Sequence, residues 1–132
     1  MCLLDRVVDW SAHAIHCLAV SHLDPANPLR AEARLGATSG IEYAAQAMAV
    51  HGALLAGATD SPRQGYLTSL RGVSLRVARL DDLPGALEIR AERLSGDQNH
   101  ILYHFSLSHA GRGLIEGRAA VVLDASAMRA RS

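Results

Sequence analysis

SGIEYAAQAMAVHGALLAG, residues 39–57, is the stretch whose reading decides how this chain is organised. Alanine, the strongest helix former, recurs through it, and Gly57 followed by Thr59, Asp60 and Pro62 supplies a stop. The segment reads as one helix. At about 100° per residue, Glu42, Gln46 and Ala49 share a face and His51 lies opposite Glu42. Nearly everything else in it is small or apolar, which predicts a helix buried on most of its sides. Glu42, Gln46 and His51 interrupt it, and its apolar length falls short of the roughly 20 residues that cross a bilayer, so it is not read as a membrane span. Its start has two compatible readings. Ser39 with Glu42 three residues on fits a capping box. The same carboxylate, at a helix end whose N–H groups are free, fits a general acid beside a bound carbonyl.

Around this helix the chain is 132 residues long and 49% hydrophobic, which predicts a single domain over 1–132 with a core large enough to need no staples. Thirteen basic and thirteen acidic residues cancel and no long run of like charge occurs, so neither nucleic acid nor an anionic membrane is expected as a partner. Aromatics at 4% are too sparse for a base-stacking platform. Cys2 and Cys17 have no CxxC spacing and no signal peptide precedes them, which predicts free thiols and a cytoplasmic setting.

Past the helix the hydrophobic period drops to two. Val73, Leu75 and Val77 alternate with Ser74 and Arg76; Leu87, Ile89 and Ala91 with Glu88, Arg90 and Glu92; Ile101, Tyr103, Phe105 and Leu107 with Leu102, His104, Ser106 and Ser108. These are half-buried strands. Pro84-Gly85, Ser95-Gly96-Asp97 and Gly111-Arg112-Gly113 read as turns, and Ile115 to Leu123 as the last strand. Short links predict an antiparallel meander of about four strands, and Leu3 to Val20 supplies at least one more. One buried helix wrapped by such a sheet is an α+β hot-dog arrangement.

Two segments carry a family resemblance. Leu3-Leu4-Asp5-Arg6-Val7 resembles the LL(V)DRV motif near the start of the hot-dog 3-hydroxyacyl-(acyl carrier protein) dehydratases, and Gly40-Ile41-Glu42-Tyr43-Ala44-Ala45-Gln46-Ala47 resembles their G…E-x-x-A-Q-A helix. The form GIEYxAQA is most similar to the dehydratase-like proteins of aryl polyene pigment clusters. That family usually begins before the LLDRV motif, often with a P-H-R-x-P stretch, so its N-terminal lead-in is expected to be missing here.

The resemblance implies elimination of water from a 3-hydroxyacyl thioester carried on the phosphopantetheine of acyl carrier protein, with no other cofactor. It implies Glu42 as the catalytic acid, the Gly40 amide as donor to the thioester oxygen, and Gln46 as the residue that orients Glu42 from one turn on. The family's base is a histidine in an H-F-P-G loop before the helix. Here that loop reads Asp24-Pro25-Ala26-Asn27-Pro28-Leu29, and no histidine lies between His22 and His51. His22 is the candidate base within one chain. The alternative is a non-catalytic or half-catalytic subunit whose partner supplies the base, and a third reading on the same fold is an acyl thioesterase in which Glu42 activates water. A homodimer, or a heterodimer with another hot-dog dehydratase, is expected, joined through strand edges.

The remaining polar residues have plainer readings. His51 is on the far face from Glu42 and is expected to be a hydrogen-bonded buried or interface histidine. His13 with His16, and His100 with His104, are too far apart or face opposite ways, so no metal site is expected. Ser108-His109 has no triad geometry, and Cys17 is expected in the core. Arg30, Arg34, Arg63 and Arg71 are solvated arginines available to an acidic carrier or its phosphate.

Overall fold

The computed structural model describes residues 3–32, 34–56, 65–96 and 100–123. Its strands are β1 (Arg6–Trp10), β2 (Ala14–Ala19), β3 (Gly65–Leu75), β4 (Leu87–Gly96), β5 (His100–His109) and β6 (Arg112–Leu123), with one helix, α1 (Gly40–Ala56), between β2 and β3. All neighbouring strands pair antiparallel in one sheet of order β1-β2-β4-β5-β6-β3. This is the expected α+β hot-dog architecture.

The alternation read from the sequence is the alternation of faces. In β5, Ile101, Tyr103, Phe105 and Leu107 are buried, and the intervening side chains point to the other face. Ile15, Cys17 and Ala19 of β2, Leu87, Ile89 and Ala91 of β4, and Ile115, Ala119 and Val121 of β6 complete the inner face.

The N-terminal stretch, expected to give at least one strand, forms two, a hairpin that adds β1 and β2 beside β4. Two details differ from the expectation. The strand after the helix begins at Gly65 and ends at Leu75, before Val77. And the meander covers only β4, β5 and β6, because β3 pairs with β6 at the far edge. With β2 occupying the other side of β4, the link after β3 must cross the end of the sheet. On its way, backbone bonds from the Leu80 amide to the Leu35 carbonyl (2.8 Å) and from the Ala37 amide to the Ala78 carbonyl (3.0 Å) tie it to the segment before α1. The β5–β6 hairpin turns through Ala110 and Gly111, both with positive φ, the signature of a two-residue turn that matches strand twist.

Helix α1 lies on the inner face through Gly40, Tyr43, Ala44, Ala47, Met48, His51 and Gly52. Their spacing of three and four places them on one stripe. The opposite face is not buried in the single chain, contrary to the expectation of burial on most sides: Ile41, Ala45, Ala49, Ala53 and Leu54 are half-buried, and Glu42 and Leu55 are exposed.

Gly40 is where the helix comes nearest the sheet. A Cβ there would stand 2.4 Å from Ile115 Cδ1 and 3.0 Å from Leu107 Cδ2. Alanine ordinarily favours a helix over glycine by about 1 kcal/mol, but overpacking a filled core costs about 1–3 kcal/mol, so the contact outweighs the propensity. Gly40→Ala is expected to lose up to about 2 kcal/mol of stability net, read as a lower urea midpoint; an unchanged or raised midpoint would show that Ile115 gives way freely.

Candidate active site

The chain enters α1 through a 3₁₀ turn over Ala37–Ser39, which flows into the helix without a break. The Ser39 amide donates to the Gly36 carbonyl at 3.1 Å, and the Gly40 amide to the carbonyls of Ala37 and Thr38. Ser39 is therefore inside a helical turn and not at its cap, so the expected capping box with Glu42 does not form. The Gly40 amide is likewise engaged within the turn and, as placed, is not a free donor for a thioester oxygen. Gly40 contributes its missing side chain instead.

This entry is held from outside by Asp81. Its carboxylate accepts from the Leu35 amide at 2.9 Å and from Arg79 Nε at 3.0 Å, with Arg30 Nη1 at 3.8 Å. The Arg79 guanidinium, followed by the Leu35 amide, keeps the Asp81 carboxyl far below the usual carboxylate range. Sequence reading did not single out this clamp, because nothing local to Arg79 and Asp81 marks the Leu35 amide, 46 positions before Asp81, as a partner.

Glu42 stands in the first turn of α1, exposed, and among the described residues its carboxylate makes no hydrogen bond or ion pair. Gln46 does not orient it. The Gln46 Oε1 accepts from the Leu3 amide at 2.8 Å, holding the start of the chain against the helix.

Leu3 connects the two motifs physically. Its carbonyl accepts from Ser21 Oγ at 2.7 Å, and Ser21 Oγ lies 2.8 Å from the Tyr43 hydroxyl, which also accepts from Asn27 Nδ2 at 3.1 Å. Asn27 Nδ2 donates in addition to the Ser21 carbonyl, and Asn27 Oδ1 accepts from the Leu29 amide. Tyr43 is fully buried and Asn27 is 3% exposed, so the network satisfies polar groups that water cannot reach. Burial pushes the Tyr43 phenol above its ordinary value, keeping it neutral. The Asp5 carboxylate of the first motif accepts from the Val20 amide at the end of β2. Asn27 stands in the loop where the family histidine was sought; a polar residue preceding proline gave no sign of its tyrosine partner.

His22 is fully buried. Its Nε2 donates to the Leu83 carbonyl at 2.9 Å, which leaves a lone pair on Nδ1, an atom that is buried and unpartnered among the described residues. With no atom open to a substrate, His22 as placed here is a packing residue of the loop and not an accessible base. Nor does any hydrogen bond or ion pair link it to Glu42. The four candidates therefore do not converge: Glu42 faces outward, Gln46 serves the N-terminal segment, Gly40 faces the core, and His22 is enclosed.

His51 is also fully buried, and both its nitrogens are used. Nε2 donates to the Ser11 carbonyl at 2.8 Å and Nδ1 accepts from the Tyr103 hydroxyl at 2.7 Å, the two rings meeting edge to face. The expected buried, hydrogen-bonded histidine is what the structure holds. Burial pushes the Tyr103 phenol up to about 12 and the Cys17 thiol up to about 11, so Cys17 is a core thiol without nucleophile character at neutral pH. Cys2 and Arg63 lie outside the described residues. His16 pairs with Glu88 at 3.0 Å on the outer sheet face, His109 Nε2 donates to the Pro84 carbonyl, and no cluster among the described residues could hold a metal.

Two predictions come from these contacts. Tyr43→Phe removes a hydroxyl that serves Ser21 and Asn27 and is expected to cost about 1–3 kcal/mol by leaving them unsatisfied, checked by urea denaturation; a cost below about 0.5 kcal/mol would place the network outside the stability core. Burial lowers the pKa of both His22 and His51 below the ordinary 6.5. The unfolded chain then binds more protons than the folded one, so stability is full above pH 6.5 and falls as the pH drops below it. The urea midpoint should decrease between about pH 7.5 and 5.5, and by less in His51→Gln; a midpoint equal or higher in acid would contradict this.

The fold and site can be set beside known proteins. Among curated proteins, none matches the chain by sequence. A solved structure titled the dehydratase heterocomplex ApeI:P from Xenorhabdus doucetiae superposes with a TM-score of 0.82 at 24% identity, over 98% of this chain and 87% of that one. A mutant of the thioesterase PA1618 from Pseudomonas aeruginosa gives 0.65 at 12% identity, over 90% and 80%. The thioesterase SAV0944 from Staphylococcus aureus, also a mutant, gives 0.66 at 11% identity, over 90% and 92%. These are likenesses of fold, and they include more than one chemistry. The sequence family described as ApeP dehydratase is more specific, because it matches residues 1–130 and thus both motifs, the helix and every strand. The chain belongs to this ApeP-like dehydratase family.

Proposed function

We propose that this protein acts in the elimination of water from a 3-hydroxyacyl thioester carried on acyl carrier protein, with Glu42 as the acid. The observation that carries the reading is the state of Glu42: a carboxyl in the first turn of α1, exposed and without a partner among the described residues, within the motif of a dehydratase family. In the reaction a base takes the proton from the carbon next to the thioester, and charge develops on the thioester oxygen. The C–O bond at the third carbon then breaks as Glu42 protonates the departing hydroxyl, giving an enoyl thioester and water. The proton held by the base returns to the Glu42 carboxylate to close the cycle.

A specific observation favours a shared site. The histidines nearest the helix in sequence, His22 and His51, are fully buried and hydrogen-bonded to backbone carbonyls. The face of α1 that carries Glu42 also carries Ala45, Ala49 and Ala53, half-buried and apolar, and β3 is a sheet edge with Leu67, Leu70 and Leu75 exposed. A second hot-dog subunit seated there would cover the edge, take the Glu42 surroundings out of water and supply the base. The ApeI:P structure is by its title a heterocomplex, which makes a different hot-dog dehydratase the preferred partner over a second copy. Such a pair would work without any cofactor beyond the phosphopantetheine arm, and in the cytoplasm; among the described residues, no helix is long and apolar enough to cross a membrane.

The test is turnover of a 3-hydroxyacyl carrier-protein thioester by the chain alone and with a hot-dog dehydratase partner. Glu42→Gln is expected to lower turnover about 10²–10⁴-fold with the urea midpoint unchanged, and His22→Gln to act through stability alone. Full activity of Glu42→Gln, alone and in the pair, would overturn the acid role. Turnover by the isolated chain would remove the need for a shared base.

A further inference from the structure

We propose that Arg71 and Arg118 form a binding site for a phosphate group on the outer face of the sheet, away from α1. Strands β3 and β6 pair with Arg71 directly opposite Arg118. Both side chains therefore leave the same face of neighbouring strands, at the cross-strand spacing where like charges repel. Ala119 and Val121, the neighbours of Arg118 and Ala120 along β6, are buried under the helix, which places the arginine pair on the opposite, solvent side. Both arginines are exposed, and no ion pair or hydrogen bond engages either guanidinium among the described residues. On the far side of Arg118 the register places His104 of β5, a third basic group in the same row. The acid two residues along β6, Glu116, is already shared between Arg76 at 3.3 Å and His104 at 3.8 Å.

Ser69, Leu102 and Ala120 line a depression of about 300 Å³ together with the two arginines. The arrangement is that of an anion receptor. Two planar guanidinium forks side by side match the oxygens of one phosphate, and the Ser69 hydroxyl adds a neutral donor. Leu102 and Ala120 form an apolar floor for the carbon skeleton that a phosphate ester carries. A bound phosphate turns the cross-strand repulsion into attraction on both sides. The phosphate can come from two sources, free in solution or at the end of a pantetheine arm. The second rests on the carrier-bound substrate proposed above; the first does not.

Calorimetric titration of the full chain with inorganic phosphate, 4′-phosphopantetheine and unphosphorylated pantetheine distinguishes them. Saturable binding of the phosphate-bearing probes is expected, weakening as salt is raised, at least tenfold weaker in the Arg71→Gln/Arg118→Gln double variant, and absent for pantetheine. The Arg71→Lys/Arg118→Lys variant keeps the charge and loses the forks, so it should fall between the two. Tighter binding of 4′-phosphopantetheine than of inorganic phosphate assigns the site to the arm; equal binding assigns it to free phosphate. The proposal is overturned if neither phosphate probe binds saturably, or if the double variant, folded by circular dichroism, binds as wild type does. Glu42→Gln should bind as wild type, so failure here is separable from failure of the acid role.

Discussion

The close contact between α1 and the sheet at Gly40 is the constraint on which the rest of this structure depends. With hydrogen in place of a side chain, the helix start settles against Ile115, Leu107 and Leu80, and the 3.6-residue period then places Tyr43, Ala44, Ala47, Met48 and His51 along the core. The same period turns Glu42 away from it. The exposure of the one carboxylate in the helix is thus a geometric consequence of where the glycine must go. A larger residue at 40 would lift the helix end, loosen the contact with β5 and β6, and move Glu42 relative to whatever covers it.

Around that contact, each end of the helix is secured by a buried polar group that reaches a different part of the sheet. Tyr43 draws in the loop after β2 and, through Ser21, the Leu3 segment; His51 joins the turn before β2 to Tyr103 in β5. Such bonds add only about 1 kcal/mol net when made, but leave a desolvated orphan when one partner is lost. Their effect is to specify one arrangement of loop and helix among the many that apolar packing of alanines would tolerate. Asp81 does the same outside the core, clamping the entry to the helix between Arg79 and the Leu35 amide.

A helix this rich in alanine buries one stripe in the single chain and leaves another apolar stripe half-covered, beside an unpaired strand edge. Both features have the same physical remedy, a second subunit. A second subunit is thus compatible with a dehydratase-family chain in which His22 and His51 are enclosed and Glu42 makes no side-chain hydrogen bond or ion pair among the described residues. Chemistry that needs two groups need not draw both from one chain, and the thioesterases that share the fold show how little the fold itself prescribes.

The fold was largely legible in the sequence. The alanine run between Gly40 and Ala56, the period-two strands and the two motifs dictated an α+β hot-dog domain, because helix propensity and alternation are local properties that burial then reinforces. The burial of His51 followed from the helical period, and that of Cys17 from the apolar character of a free thiol. What only tertiary structure decided was pairing across distance. That β3 crosses to β6, that Gln46 binds Leu3 and not Glu42, that Gly40 spends its amide within a 3₁₀ turn, and that His22 is sealed by Leu83 all depend on which backbone groups meet after the chain has closed. A hydrogen bond between residues forty positions apart leaves no trace in the pattern around either one, so the sequence pointed to Glu42 and its helix, and only the folded chain decided what surrounds them.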